Sequence, residues 1–404
     1  MAEHQHGQLQ PARVALVHDF LLDVRGAERV FLELCRLWPE ADVFTAVYDE
    51  RGTEGRFAGR DVQTSFVQRL RPSARTFRAL LPLYPLAIES LPMHGYDLVV
   101  SSSSAWAHAV LCDERTTHVS YCHNPFRYAW NDRDHTLARR RDPVSRMLLR
   151  ELFRRWRQWD WIAAQRVDRY LANSRITQDR IRAYFGREAH VVHPPIDTAR
   201  FSPGTVADHY AVISELMPHK GIEVAIAAFN RLRLPLIVVG DGPDWRRLRR
   251  LAGPTITFAG RLTDAGVAEV LRGARALVQT SIEEFGIAAV ECQAAGRPVL
   301  ARRGGGALET IQDGVTGRLW TGEAEELASA VLAFDDAAVD PAACVRNAAR
   351  FDVATFRRRM LAQVQAACDG RERTGADGRE RAAEHQPLAS PRPPRRAAPD
   401  VHRH

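Results

Sequence analysis

The sequence predicts an α/β protein of two domains, each built on a mainly parallel sheet covered by helices on both faces. Short apolar, β-branched runs alternate with amphipathic helical patterns along most of the chain. The alternation comes in two series, one starting near residue 13 and the other near residue 210. Between them, the segment from His193 to Gly204 contains Pro194, Pro195 and Pro203, which disfavour helix and mark an interdomain linker. A chain of 404 residues accommodates two such domains, and 45% hydrophobic content supports ordinary packed cores.

The first run, 13–18, reads as a buried strand because its apolar residues are consecutive rather than alternating. Residues 19–25 then form a loop, and Gly26-Ala27-Glu28-Arg29 opens an amphipathic helix to about Leu37. Further strands are expected at 42–46, 97–101, 118–122 and 168–173. The second series has strands at 210–214, 235–240, 255–259, 276–280 and 298–301. Its helices are expected at 222–232, 244–251, 264–272, 288–295 and 308–311. The domains are therefore 13–193 and 205–351, joined by 194–204 and followed by an amphipathic helix over 352–369. Residues 1–12 are expected to be flexible. From Gly370 to the end, Arg, Glu, Gly, Ala and Pro with almost no large apolar residue predict a disordered tail.

The formal net charge of +7 favours anionic partners. The six cysteines are scattered, with no CxxC pair and no zinc spacing, and read as buried free thiols in a reducing compartment. No run of about 18 apolar residues is present to span a membrane, and the first residues lack an apolar signal segment. These features together give the expectation of a cytoplasmic protein. Asp132-Arg133-Asp134 has the letters of a metal-binding DxD, but it follows an aromatic loop in the first domain and reads as a solvated acidic loop. No metal and no cofactor are expected.

The chemistry concentrates in Glu283-Glu284-Phe285-Gly286-Ile287, with Glu291 eight positions after Glu283, and in the turn Gly304-Gly305-Gly306. Carboxylates accept hydrogen bonds from sugar hydroxyls, and bare N–H groups at a helix start hold phosphate. A sugar nucleotide has both parts.

With Gly26-Ala27-Glu28-Arg29, Tyr121-Cys122-His123-Asn124-Pro125-Phe126-Arg127-Tyr128, Asn173-Ser174, His193-Pro194-Pro195, Pro218-His219-Lys220-Gly221 and Gly240-Asp241-Gly242-Pro243, these stretches resemble the retaining, nucleotide-sugar-dependent glycosyltransferases of family 4, also called glycosyl transferases group 1. The resemblance covers roughly residues 13–368 and is nearest the branch that builds bacterial O-antigen and exopolysaccharide chains, often as mannosyltransferases. It implies the GT-B fold, two Rossmann-like domains facing across a cleft, with the helix at 352–369 crossing back to the first domain. It also implies hexose transfer, mannose from GDP-mannose, to a lipid-linked saccharide. Glu291 would grip the ribose hydroxyls and Glu283 those of the donor sugar. Phe285, Gly286 and Ile287 would offer backbone N–H groups to the diphosphate, with Gly305 in a similar role in the next turn. Lys220 would supply the diphosphate cation, His123 would lie by the donor sugar, Gly26 would leave room at the first helix start, and Arg127 and Tyr128 would shape the acceptor side. Asn173 and Ser174 read equally as a turn or helix cap.

Two positions depart from the family pattern. Glu284 stands where many relatives carry glycine. Glu215 stands where many carry an arginine that pairs with the lysine, so it either turns into a salt bridge or is offset by another cation, Arg261, Arg302 or Arg303. Another GT-B enzyme of nucleotide sugars, such as an epimerase, and a non-catalytic sugar-nucleotide scaffold are the alternative readings.

Residues 139–157 hold eight arginines interleaved with Leu148, Leu149, Leu152, Phe153 and Trp156. Residues 69–86 add Arg69, Arg71, Arg75 and Arg78 beside Phe77, Leu80 and Leu81. Such stripes dock at an anionic leaflet, and also occur on any helix packed against a sheet. The expected partners are a GDP- or UDP-linked sugar, a lipid-linked saccharide and an anionic membrane surface on the inner face of the cell membrane. Nucleic acid is not expected, since no recognition motif accompanies the arginines.

Overall fold

The computed structural model describes residues 13–384, apart from 74, 75, 139 and 141, with side chains as far as residue 371. The first domain holds strands β1 (Val14–His18), β2 (Asp42–Thr45), β3 (Val62–Thr64), β4 (Leu98–Ser103), β5 (Thr117–Cys122), β6 (Arg169–Ala172) and β7 (Ala189–Val191). They form one sheet in the order β3-β2-β1-β4-β5-β6-β7, with every pair parallel. The second domain holds β8 (Tyr210–Ile213), β9 (Leu236–Val239), β10 (Ile256–Gly260), β11 (Leu277–Gln279), β12 (Val299–Arg302) and β13 (Gly317–Trp320). Their order is β10-β9-β8-β11-β12-β13, again all parallel.

Helices bury both faces of each sheet, which is why the strands read as continuous apolar runs. In β1, Ala15 and Val17 pack on one face with Phe44 and Val99, while Leu16 packs on the other with Val43, Val100 and Val119. The strands that the sequence did not predict are β3, β7 and β13, all at sheet edges. Their burial is partial or mixed, so they lack the unbroken apolar signature of a central strand.

Seven helices bear on the site or its flanks: α1 (Gly26–Leu37), α2 (Pro143–Ala164), α3 (Arg175–Phe185), α4 (Ile222–Leu232), α5 (Ile287–Ala294), α6 (Ala307–Thr310) and α7 (Val353–Glu384). Asp142 caps α2 by accepting the Ser145 N–H at 2.6 Å, and Ser174 caps α3 through Thr177. The linker leans on the second domain, where Ile196 and Phe201 join the core with Leu277 and Val299.

Helix α7 returns to the first domain. Phe356, Met360, Val364 and Ala367 recur at helical spacing and pack with Leu16, Val100 and Tyr121. Arg169 also donates to Gln363 at 2.9 Å. The helix runs to Glu384 and so overruns Gly370, where a disordered tail was expected. Arg, Glu and Ala are good helix formers, and a segment too polar to build a core can still prolong a helix already nucleated. The expected flexible start at 1–12, the tail beyond 384, and Arg75, Arg139 and Arg141 lie outside the described residues. Among the described residues no helix is long and apolar enough to cross a membrane.

Because Phe356 is 1% exposed, Phe356→Ala should lower the unfolding free energy by about 3–5 kcal/mol in a denaturant titration. A loss below about 1 kcal/mol would mean that α7 does not support the first domain.

Candidate functional site

In an open parallel sheet, loops at the carboxyl ends of the two strands where the order reverses diverge and leave a crevice. That reversal lies between β1 and β4 in the first sheet, and between β8 and β11 in the second. The loop after β8 carries Glu215 and Lys220, and the loop after β11 carries Glu283 and Glu284 and leads into α5. Opposite them stand the loop after β1, with Asp23 and Arg25, the start of α1, and His123 just beyond β5.

Lys220 and Glu283 form the centre of the second-domain side. The Lys220 ammonium donates to both Glu283 oxygens at 2.7 Å, and Ser281 Oγ donates to Glu283 Oε1 as well. Burial alone would raise the Glu283 carboxyl, but Lys220, the hydrogen bonds from Lys220 and Ser281, and Arg127 hold it below the usual glutamate range. An ammonium has three protons, and two are engaged. One remains for another anion.

Gly286 ends the Glu283 loop at φ +90 and sets the first turn of α5. A Cβ there would press within 3.1 Å of Gln279 Oε1, so glycine suits both the angle and the space. The helix start carries roughly half a positive charge. Across the cleft, the Gly26 position at the start of α1 faces it so closely that a Cβ would lie 3.1 Å from Ile287 Cδ1. Phe285 is buried against His193 and Phe351, at ring separations of 5.5 and 5.4 Å, so only its backbone can serve a ligand.

Gly305 packs closely on the Glu283 loop. Its Cβ would fall 2.3 Å from the Glu283 carbonyl oxygen, and the Gly306 N–H donates to that carbonyl at 2.9 Å. The glycine turn is a bed for the Glu283 loop. Glycine is required there because two backbones touch.

Glu291, on α5, is 6% exposed and accepts from Arg29 of α1 at 3.0 Å. Burial pushes its carboxyl upward, and Arg29 and Arg200 offset this only in part. Arg29 also holds Asp264 at 2.8 Å. Glu215 turns into a salt bridge, with Arg25 Nη1 at 2.6 Å. Arg261 faces Asp23 at 3.1 Å and Glu54 at 3.0 Å. Glu284 takes Arg180 of α3 at 2.9 Å and Arg127 at 3.3 Å. Each of these pairs crosses between the domains. Asp132 and Asp134 have arginine neighbours, Arg127 at 3.9 Å and Arg133 at 2.7 Å.

His123 sits beyond β5 with its carbonyl held by Asn173 Nδ2 at 2.9 Å, which gives Asn173 a role beside the Ser174 cap. Burial, with His18 adding to it, pushes the His123 ring down to about 3, so it is neutral. Arg25, Arg29 and Arg180 had no role in the sequence reading. Arg25 and Arg29 meet partners 190 and 262 residues away, a separation that leaves no local pattern. The only hint was Arg29's place in the glycine-led motif.

The Glycosyltransferase Family 4 model matches residues 24–200, and the Glycosyl transferases group 1 model matches residues 208–334. The GDP-mannose-dependent alpha-(1-6)-phosphatidylinositol monomannoside mannosyltransferase of Mycolicibacterium smegmatis is 31% identical over 214 residues, 45% of this chain and 54% of the relative. The GDP-mannose-dependent alpha-mannosyltransferase of Corynebacterium glutamicum is 28% identical over 177 residues, 40% of this chain and 43% of the relative. The chain thus spans about half the length of the curated relatives it matches. The Anabaena HepE crystal structure with UDP superposes at a TM-score of 0.65 and 18% identity, covering 88% of this chain and 100% of that chain. Sucrose-phosphate synthase from Thermosynechococcus elongatus gives 0.62 at 17% identity, covering 92% and 100%. At these identities the solved structures establish the GT-B fold.

The Glu283 carboxyl titrates lower in the folded protein than in the unfolded chain. Its pairing therefore adds stability above the unfolded value, about 4.3, which is lost as pH falls through the folded value. Lys220→Met should flatten this acid limb, so that thermal stability falls less steeply below about pH 4 than in the wild type. An identical acid limb in both proteins would break the assignment of Lys220 as the partner that sets Glu283.

Proposed function

The chain belongs to glycosyltransferase family 4, and from that premise we propose that it is a retaining hexosyltransferase. It moves mannose from GDP-mannose to a lipid-linked saccharide in surface-polysaccharide synthesis. The main support is the convergence of Lys220, Glu283 and Glu291 beside the N-terminus of α5, at the switch point of the second sheet. The names of the M. smegmatis and C. glutamicum relatives point to GDP-mannose. HepE, solved with UDP and with UDP-glucose, keeps a UDP-sugar as the second donor class.

In this reading the ribose hydroxyls replace Arg29 on Glu291. The diphosphate lies at the first turn of α5, against backbone N–H groups and the third proton of Lys220. Glu283 and His123 meet the sugar. The bond from the sugar C1 to the phosphate oxygen breaks as the acceptor oxygen bonds C1 on the same face. The acceptor proton passes to the leaving phosphate. The protein positions the partners and stabilises charge, and contributes no nucleophile. At about 4 Å and an effective dielectric near 20, the Lys220 charge offers a gross attraction of about 4 kcal/mol to the leaving diphosphate. Lys220 and the helix terminus supply this charge without a metal. Domain closure would exclude water from the donor.

The acceptor side faces a cytoplasmic leaflet in the same reading. The inward stripe of α2, including Phe153 and Trp156, is core. Its other side exposes Val144, Met147, Leu148, Trp161 and Ile162. Leu70 and Leu86 are exposed on the same domain. Arg146, Arg150, Arg154 and Arg155 lie along α2, which suits anionic headgroups.

Calorimetry against nucleoside diphosphates and nucleotide sugars, in the presence of a chelator, should show GDP and GDP-mannose bound selectively, with Glu291→Ala weakening both at least about tenfold, or 1.4 kcal/mol. Selective UDP-sugar binding would replace the donor. No binding to a folded sample would remove the enzyme reading. In a sedimentation assay, phosphatidylglycerol vesicles should carry the wild type down at low salt and release it at high salt. Met147→Glu with Leu148→Glu should abolish this, and equal sedimentation of wild type and variant would rule α2 out as the docking face.

A further inference from the structure

The ring of His123 is tied through one hydroxyl to a second buried histidine. Ser102 Oγ lies 2.9 Å from His123 Nε2 and 3.1 Å from His18 Nδ1. On its far side, His18 Nε2 lies 3.5 Å from Glu28 Oε1. The other Glu28 oxygen accepts the Arg25 N–H at 2.9 Å, which holds the carboxylate at the first turn of α1. His18, Ser102 and His123 are 1%, 0% and 9% exposed. They stand at the carboxyl ends of β1, β4 and β5, which are neighbours in the sheet, and the chain Glu28–His18–Ser102–His123 runs beneath the cleft.

The proton count along this chain is constrained. A serine hydroxyl has one proton, so it donates to one ring and accepts from the other. With a single proton on the His18 ring, a lone pair on Nε2 would face the Glu28 carboxylate and be repelled, so Nε2 carries that proton. His18 Nδ1 is then the acceptor, and Ser102 donates to it. The Ser102 oxygen in turn accepts from His123, whose proton is therefore on Nε2. His123 Nδ1 keeps its lone pair. Among the described residues it has no hydrogen-bond partner, and it is not among the side-chain atoms sealed from solvent without one.

We infer that Glu28, His18 and Ser102 are positioning residues that fix the tautomer of His123, leaving Nδ1 able only to accept a hydrogen bond. The inference rests on the donor-sugar reading of this cleft and refines it. An acceptor nitrogen takes the proton of a sugar hydroxyl and repels a carboxylate, so the relay selects a neutral hexose over a uronate at that position. It also accounts for this buried polar line, because Ser102 serves both rings and Glu28 faces His18.

Ring-nitrogen NMR on the full chain labelled with 15N-histidine reads the tautomer directly, with His123 assigned by comparison with His123→Gln. The wild type should show His123 protonated on Nε2. Ser102→Ala should give a mixture of tautomers, and Ser102→Thr, which keeps the hydroxyl, should restore the single form. Protonation of His123 on Nδ1 in the wild type would overturn the inference, as would an unchanged tautomer in Ser102→Ala. In donor kinetics, Ser102→Ala should raise KM by about three- to tenfold, the size of one uncharged hydrogen bond, with recovery in Ser102→Thr. A uronate-bearing nucleotide sugar should compete more weakly than its neutral hexose counterpart in the wild type, and equal competition would overturn the acceptor-only assignment. The NMR readout needs no turnover. A protein with the Nε2–H form that binds no donor would therefore keep the relay and lose only the glycosyl-transfer reading.

Discussion

Two parallel sheets meeting at their carboxyl ends is the constraint on which the rest of this structure depends. A parallel sheet sends every strand-to-helix loop to the same edge. Each domain therefore presents its loops, its helix N-termini and its charged side chains in one direction. The two edges face each other, and the seam closes with ion pairs: Arg25 with Glu215, Arg261 with Asp23 and Glu54, Arg29 with Glu291, and Arg127 and Arg180 with Glu284. Exposed pairs of this kind contribute little each, at most about 1 kcal/mol. Glu291 differs because it is buried, and removing its counter-charge leaves a carboxylate in a low-dielectric place.

The seam gives the same side chains two tasks. Arg29 of the first domain serves Glu291, the carboxylate that the proposed function assigns to a ribose. A ligand with hydroxyls and phosphates offers a replacement for both halves of each pair, hydroxyls for the carboxylates and phosphate oxygens for the cations. Exchange of partners, rather than exposure of bare charge, keeps the cost of opening low. Glu215 fits this logic. As an isolated carboxylate near a diphosphate it would repel, but its charge is countered by Arg25 at 2.6 Å, which also holds Asp23 at 3.1 Å.

Most of the architecture was legible because buried parallel strands leave a strong local mark. The runs at 13–18, 97–101, 118–122 and 210–214 all became central strands at nearly the expected bounds. Edge strands such as Val62–Thr64 and Ala189–Val191 left no such mark, since partial burial tolerates polar residues. The tail prediction missed the extension of α7 to Glu384, because low hydrophobicity argues against a core and says nothing against a helix already begun. At the site, Lys220, Glu283 and Glu291 came from spacing and motif, and the structure brings them to one end of one sheet. Gly305 came from the same pattern, and the structure packs it on the Glu283 loop, where the two backbones touch.

By itself the sequence determined the two-domain α/β plan and the crossing helix, and it singled out Lys220, Glu283 and Glu291 as candidates. These depend on hydrophobic period, turn residues and short motifs, all of which act over a few neighbours. Only the tertiary structure decided which charge meets which. Arg25 finds Glu215 at a separation of 190 residues, and Arg29 finds Glu291 at 262. The tautomer line from Glu28 to His123 likewise exists only because β1, β4 and β5 are adjacent in the sheet. Side-chain charge and hydrogen bonding are short-range in space and indifferent to chain order, so their pairing is settled only when the two sheets are formed and face each other.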